Sequence, residues 1–225
     1  MIMTLGSIIR AVTNCKDTDQ FKPTVVEITT HISNLMSGNL SEDDPRNEAI
    51  KETLTECAGF LGAEFGQFMP LLMQPIINDA KLDVDFKMES ADNPNTSGPN
   101  HLACNMKVRG LGEQRVSMNT QALVSKGGAF ILLERVSANM GKAFAPFVQE
   151  GGEILSIVAS HMTYKPNKGI RKNALKTFKN ILIAVGYPSN RALFQESVPM
   201  FFTEIEKSIK SKDDKSLKIL LKYFA

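Results

Sequence analysis

Along most of this chain an apolar residue returns every three or four positions. Between residues 46 and 61 these are Ile50, Leu54, Cys57, Ala58 and Leu61, one side of a helix with about 3.6 residues per turn. Residues 168–185 repeat the pattern with Ile170, Ala174, Phe178, Ile181 and Val185. The same spacing predicts helices over 2–14, 22–37, 66–80, 113–140, 145–162 and 190–209, and a last one in 213–225. Gly38-Asn39 is a stop signal after the second helix. Asp44-Pro45 opens the third, with a carboxylate to cap first-turn N–H groups and a proline where no donor is needed. Pro75 predicts a bend in 66–80. Gly127-Gly128 predicts a kink in 113–140 or close packing against a neighbouring helix, and Gly151-Gly152 marks a weak point in 145–162.

The period changes to two in residues 81–111. Leu82, Val84, Phe86 and Met88 alternate with charged residues, and Leu102, Cys104, Met106 and Val108 alternate again. Between them, Ala91–Asn100 has the composition of a turn. Two readings fit: a β-hairpin inserted between helix pairs, or an extended loop.

One phrase recurs. Gly62, Phe65 and Phe68 share their spacing with Gly141, Phe144 and Phe147, and each set precedes an apolar helix. A looser copy has Gly186, Phe194, Phe201 and Phe202. Gly141 and Gly186 are 45 residues apart; Gly62 and Gly141 are 79 apart, or 48 without the 31 residues of 81–111. Such a period belongs to HEAT or armadillo units. The expected fold is therefore all-α: an α-α superhelix of about four helix pairs in a single unit, 1–225, plus a C-terminal helix. The repeats fall at about 1–38, 44–80, 112–163 and 167–209, with the non-helical insert at 81–111 and the terminal helix at 213–225. Solenoid ends normally carry polar caps. Both terminal helices here are apolar, which fits a section of a longer stack or, as the other reading, an end that self-associates.

Composition adds three points. The net charge of +2 hides an asymmetry: residues 1–164 carry 13 Lys/Arg against 19 Asp/Glu, a net −6, and residues 165–225 carry 13 against 5, a net +8. The basic end suits a solvated lysine face, an acidic partner or nucleic acid, but its lysines are not interleaved with stacking aromatics. Cys15, Cys57 and Cys104 are scattered and read as reduced, mostly buried thiols of an intracellular protein. His31, His101 and His161 have no ligand at metal-binding spacing, and no nucleophile-elbow, zinc-protease or phosphate-loop motif occurs. Asp43-Asp44 reads as a helix cap, and Asp83 and Asp85 as solvated carboxylates. The reading is a binding protein with no catalysis and no cofactor.

Several phrases in order carry a family resemblance: Asp44-Pro45 opening a helix, Leu61-Gly62-Ala63-Glu64-Phe65-Gly66-Gln67-Phe68-Met69-Pro70 with Gln74-Pro75 after it, Gly110-Leu111-Gly112-Glu113, and Gly141-Lys142-Ala143-Phe144-Ala145-Pro146-Phe147-Val148. From about residue 1 to 200 the chain resembles the karyopherin-β (importin-β) nuclear transport receptors, most closely the branch containing importin five. The resemblance implies HEAT repeats, cargo on a concave face made by second helices, and Phe-Gly nucleoporin repeats in convex-face grooves between first helices. It also implies release of import cargo by Ran-GTP, whose main site lies in repeats outside this segment, and shuttling between cytoplasm and nucleus. If second helices line the concave face, the helical wheel points two rows into it. Gln149, Glu153, Ser156 and Ser160 lie opposite buried Phe147, Ile154, Val158 and Met162; Glu196, Thr203 and Lys207 lie opposite buried Val198, Phe201, Ile205 and Ile209. The other readings are a HEAT scaffold for an unrelated complex and a nucleic-acid-binding helical repeat.

Overall fold

Nine α-helices and three strands are delimited among the described residues of a computed structural model, which are 2–15, 18–38, 44, 46–85, 87–90, 101–108, 112–149, 152–186, 191–212, 217–218 and 221–222. The helices are α1 (Ile2–Thr13), α2 (Lys22–Ser37), α3 (Arg46–Leu61), α4 (Met69–Lys81), α5 (Thr120–Met140), α6 (Ala145–Gln149), α7 (Glu153–His161), α8 (Lys168–Val185) and α9 (Arg191–Lys210). They form two layers, because each helix has one apolar side and must pack it on a neighbour. In one layer α1 packs on α3, α3 on α5 and α5 on α8. In the other α2 packs on α4, α4 on α7 and α7 on α9. The core between the layers is continuous, from Ile9 and Leu54 through Leu72 and Leu133 to Phe178 and Phe201. This is the all-α HEAT-type solenoid that the periodicity predicts, with a small sheet.

The recurring glycine–phenylalanine phrase is the bend between layers. Gly62 (φ 55°) and Gly141 (φ 52°) take left-handed backbone that a side chain disfavours, and each ends a long helix. A 3-10 stretch follows, Gly62–Phe68 or Gly141–Phe144, and delivers the chain into the next helix. The phenylalanines lock the bend: Phe65 and Phe144 are fully buried, and the ring pairs Phe65–Phe68 and Phe144–Phe147 lie 5.8 and 6.3 Å apart.

The insert corrects the hairpin reading and its boundary. Strands β1 (Lys87–Ser90) and β2 (His101–Val108) do not pair with each other; both pair antiparallel with β3 (Gly112–Asn119), in the order β1-β3-β2. The sheet thus extends to residue 119, where the pattern predicts helix from 113. Val116 and Met118 are two residues apart, the strand period, and Asn119 marks the true start: its side chain accepts from Ala122 N–H at 3.0 Å as the cap of α5. Its own N–H donates to the Val84 carbonyl, 2.9 Å, closing the root of the insert.

Other differences are local. Residues 145–162 form two helices, α6 and α7, because Gly152 takes a left-handed φ of 57° just before α7. α5 runs unbroken through Gly127-Gly128, and the close packing expected of the pair is found at Gly128, which faces Lys51, while Gly127 meets nothing within 4 Å. α4 carries Pro75 inside it, at the position the sequence gives. Ile209 is 57% exposed, contrary to the wheel, while the adjacent Ser208 is buried. Cys57 is buried, but Cys15 lies exposed past the end of α1 and Cys104 exposed on β2, so most of the thiols face solvent. Asp44 caps α3 as expected, accepting from Arg46 N–H at 2.9 Å; the Arg46 side-chain bonds, then this backbone bond, hold its carboxyl down at about 2. Asn39, Pro45, residues 91–100, Gly151 and most of 213–225 lie outside the described residues; Leu217–Lys218 and Leu221–Lys222 are helical.

Candidate protein-binding faces

A groove of about 520 Å³ runs between α3 and α5 in the first layer. One wall is apolar: Leu123, Val124 and Ile131 of α5, the last two 44% and 46% exposed. The opposite wall carries Glu48, Glu52 and Glu56, one per turn of α3. Arg10 bonds Glu56 at 2.6 Å and reaches Glu52 at 3.7 Å. The floor is set by the glycine pair. A methyl group on Gly127 would meet nothing within 4 Å, so that position is open space in the groove. Gly128 instead faces Lys51, whose Cδ would stand 3.0 Å from an added Cβ. Lys51 is 6% exposed, bonds Asp79 of α4 at 2.7 Å, and donates to the Ser125 carbonyl of α5 at 3.3 Å. Buried charge persists only with such partners. Lys51 therefore ties three helices together beneath the groove, and Gly128 leaves room for its stem.

The second layer has a groove of about 320 Å³ between α7 and α9, and here four of the residues from the helical-wheel rows come together: Ser156, Ser160, Thr203 and Lys207 line it with Ala159. Pro199 and Glu204 complete the groove's α9 side. Glu204 is 5% exposed; it accepts from the Thr163 hydroxyl at 2.6 Å and from Lys207 at 2.5 Å. Ser160 and Thr203 donate to the carbonyls of Ile157 and Pro199, which leaves each hydroxyl oxygen able to accept. Glu153 is not part of this set: it is half-buried and ion-paired to Lys81 of α4. Gln149 and Glu196 lie on α6 and α9, their side chains outside the described residues. Beneath the rows, Ile154, Val158, Met162 and Phe201 are buried, as the wheel requires, while Phe147, Val198 and Ile205 are half-buried.

A polar cluster that no local pattern announces joins α5, the end of α7 and the insert root. Lys126, 5% exposed, places Nζ 3.0 Å from His161 Nε2 and 5.2 Å from the Tyr164 ring centre. His161 Nδ1 lies 2.8 Å from the Ile157 carbonyl. A neutral ring protonated at Nδ1 satisfies both, donating to Ile157 and accepting from Lys126. Burial, and then the Lys126 charge, push the His161 pKa down; burial also lowers Lys126, which Asp83 partly offsets. Burial first, then Asp83, raises Tyr164. His31 is exposed. Burial pushes the Cys57 thiol up to about 11, which makes it inert. Among the described residues no group of His, Cys, Asp and Glu is placed to hold a metal, and no helix is long and apolar enough to cross a membrane.

No protein-family model matches the sequence, and no curated protein matches it significantly. Solved structures do match in fold. Karyopherin Kap121p superposes with a TM-score of 0.68 at 15% identity, over 97% of this chain and 21% of that one. Kap121p bound to RanGTP gives 0.65 at 16% identity, over 99% and 22%. Kap121p bound to Nup53p gives 0.66 at 15% identity, over 97% and 20%. The chain thus has the fold of part of a karyopherin, and spans about a fifth of the length of the structures it matches.

Proposed function

We propose that this chain is a protein-binding segment of a nuclear transport receptor of the importin-β kind, in its importin-five branch. It takes cargo and Phe-Gly nucleoporins in Ran-regulated transport between cytoplasm and nucleus, and carries out no catalysis. The observation that carries the reading is the α3–α5 groove, with an apolar wall of Leu123, Val124 and Ile131 over the open position at Gly127. A phenylalanine ring is a flat apolar payload that such a slot takes from water. The matching fold belongs to a receptor solved with Nup53p and with RanGTP, which supports the same partners for this chain. Cargo belongs to the other layer, where Ser156, Ser160, Thr203 and Lys207 offer hydroxyls and charge in one groove.

The test is fluorescence anisotropy with a labelled peptide of Phe-Gly repeats. Wild type is expected to bind weakly, and Gly127→Leu and Ile131→Glu to lose binding while keeping the helical circular dichroism of wild type. A folded wild type that ignores the peptide, or Gly127→Leu binding as wild type does, overturns the assignment of this groove.

A further inference from the structure

α8 carries five Lys/Arg and no Asp or Glu. Four of the five fall in one row. At about 100° per residue, Lys168, Lys172, Lys176 and Lys179 lie within an arc of about 80°, and Ile183 extends the same row by one turn. Lys168, Lys172 and Lys179 are exposed, and Ile183 is 58% exposed. Lys176 is the member of the row that bonds a carboxylate, Glu134 of α5, at 3.0 Å. Lys165 is exposed just before the helix, and Asn167 caps its N-terminus through Gly169 and Ile170 N–H at 2.7 and 3.1 Å.

The row works against the helix that bears it. Like charges at four-residue spacing destabilise a helix by a few tenths of a kcal/mol per pair. Lysines in the first turn also oppose the helix dipole. A surface that needs only solubility mixes signs, as α3 does with Arg46, Glu48, Glu52 and Glu56. An arriving row of carboxylates relieves both costs.

We infer that the exposed face of α8 docks an acidic amphipathic helix of another protein, with carboxylates spaced four and then seven residues apart over Lys168, Lys172 and Lys179 and an apolar side chain four residues further on, over Ile183. The lysine row is about 16 Å long, three turns of such a helix. Ile183 favours a protein over a nucleic-acid backbone, because a phosphate chain has no use for an apolar contact at the end of a basic row. The one aromatic ring of α8, Phe178, is 1% exposed and unavailable for base stacking.

The probe is a fluorescein-labelled alanine-based helical peptide with three Glu spaced four and then seven residues apart and one Leu four residues beyond the last Glu, titrated at low and at physiological salt. Binding is expected to weaken with salt, to fall about tenfold or more in Lys168→Glu/Lys172→Glu/Lys179→Glu, and about threefold in Ile183→Ser. Lys172→Ala serves as a milder variant if the triple reversal lowers the helical signal. The inference is overturned if wild type does not bind the peptide or if the charge variants bind it as wild type does. It is equally overturned if a single-stranded RNA oligonucleotide or phosphatidylserine-containing vesicles bind more tightly than the peptide and without dependence on Ile183.

Discussion

Replacing Gly127 and Gly128 by alanine, one at a time, separates two effects that the sequence places side by side. Both sit in the interior of α5, so each change gains about 1 kcal/mol of helix propensity. At Gly127 the new methyl group meets nothing within 4 Å, and the gain stands alone. At Gly128 it would lie 3.0 Å from Lys51 Cδ, where carbon atoms prefer about 3.5–4.0 Å. Lys51 has little freedom to move aside, because its Nζ is held 2.7 Å from Asp79 and 3.3 Å from the Ser125 carbonyl. Overpacking of this kind costs about 1–3 kcal/mol. Gly127→Ala is therefore expected to stabilise by about 1 kcal/mol, and Gly128→Ala to destabilise by about 1 kcal/mol once its propensity gain is set against the clash. For a chain of this length the gap of about 2 kcal/mol corresponds to about 4–8 °C in Tm. Urea unfolding and thermal melts followed by circular dichroism measure both. Equal shifts of the same sign in the two variants would refute the claim that Gly128 exists to admit Lys51.

Three further outcomes follow from the packing. Lys51→Met leaves Asp79 without its partner; Asp79 is 26% exposed and rehydrates in part, so the loss is expected at about 2 kcal/mol, below the usual cost of breaking a buried pair, read by urea unfolding. His161 has a folded pKa depressed below its ordinary 6.5, so the unfolded chain takes up the proton first: stability is flat above pH 6.5 and falls as pH drops below it, and His161→Phe flattens that part of the profile in thermal melts from pH 8 to 5. Phe65→Ala is expected to cost about 3–5 kcal/mol, and Phe147→Ala clearly less, because Phe65 is fully buried and Phe147 half-buried.

The helices were legible because each has one apolar side at a regular period, and the bends because Gly62 and Gly141 sit before paired phenylalanines. β3 was hidden by the helix it runs into. In Gly112–Asn119 only Val116 and Met118 are large and apolar, too few to declare a period of two, and the segment abuts a long helix with no proline between. The available signal was Asn119-Thr120, a cap followed by helix-forming residues. The Ser156, Ser160, Thr203 and Lys207 set was readable from the wheel because α7 and α9 are regular and neighbouring. Lys51–Asp79 and Lys126–His161 were not readable: each pair joins residues on different helices, and a single lysine on a helix gives no sign of burial. Glu204 is the same case, a carboxylate that becomes buried only when Thr163 arrives from the end of α7.

The charge asymmetry of the chain gains a direction once the helices are placed. Its acidic part reaches the α3–α5 groove as Glu48, Glu52 and Glu56, which Arg10 offsets only in part. Its basic part is the lysine row of α8, and Asn167, at the start of α8, lines that same groove. A peptide laid across the groove therefore meets the carboxylates of α3 on one side of its apolar anchor and Arg135, on the α5 wall, on the other. Complementary charge fixes register and orientation more than it adds affinity. A peptide with Phe between a Lys pair and a Glu pair has one polarity that satisfies both sides, and the reversed sequence sets like charges together at both ends. The favoured order is expected to bind several-fold more tightly at low salt, and the difference to shrink as the Debye length falls below about 10 Å. Equal binding of the two orders at low salt would mean that the apolar wall alone selects the ligand.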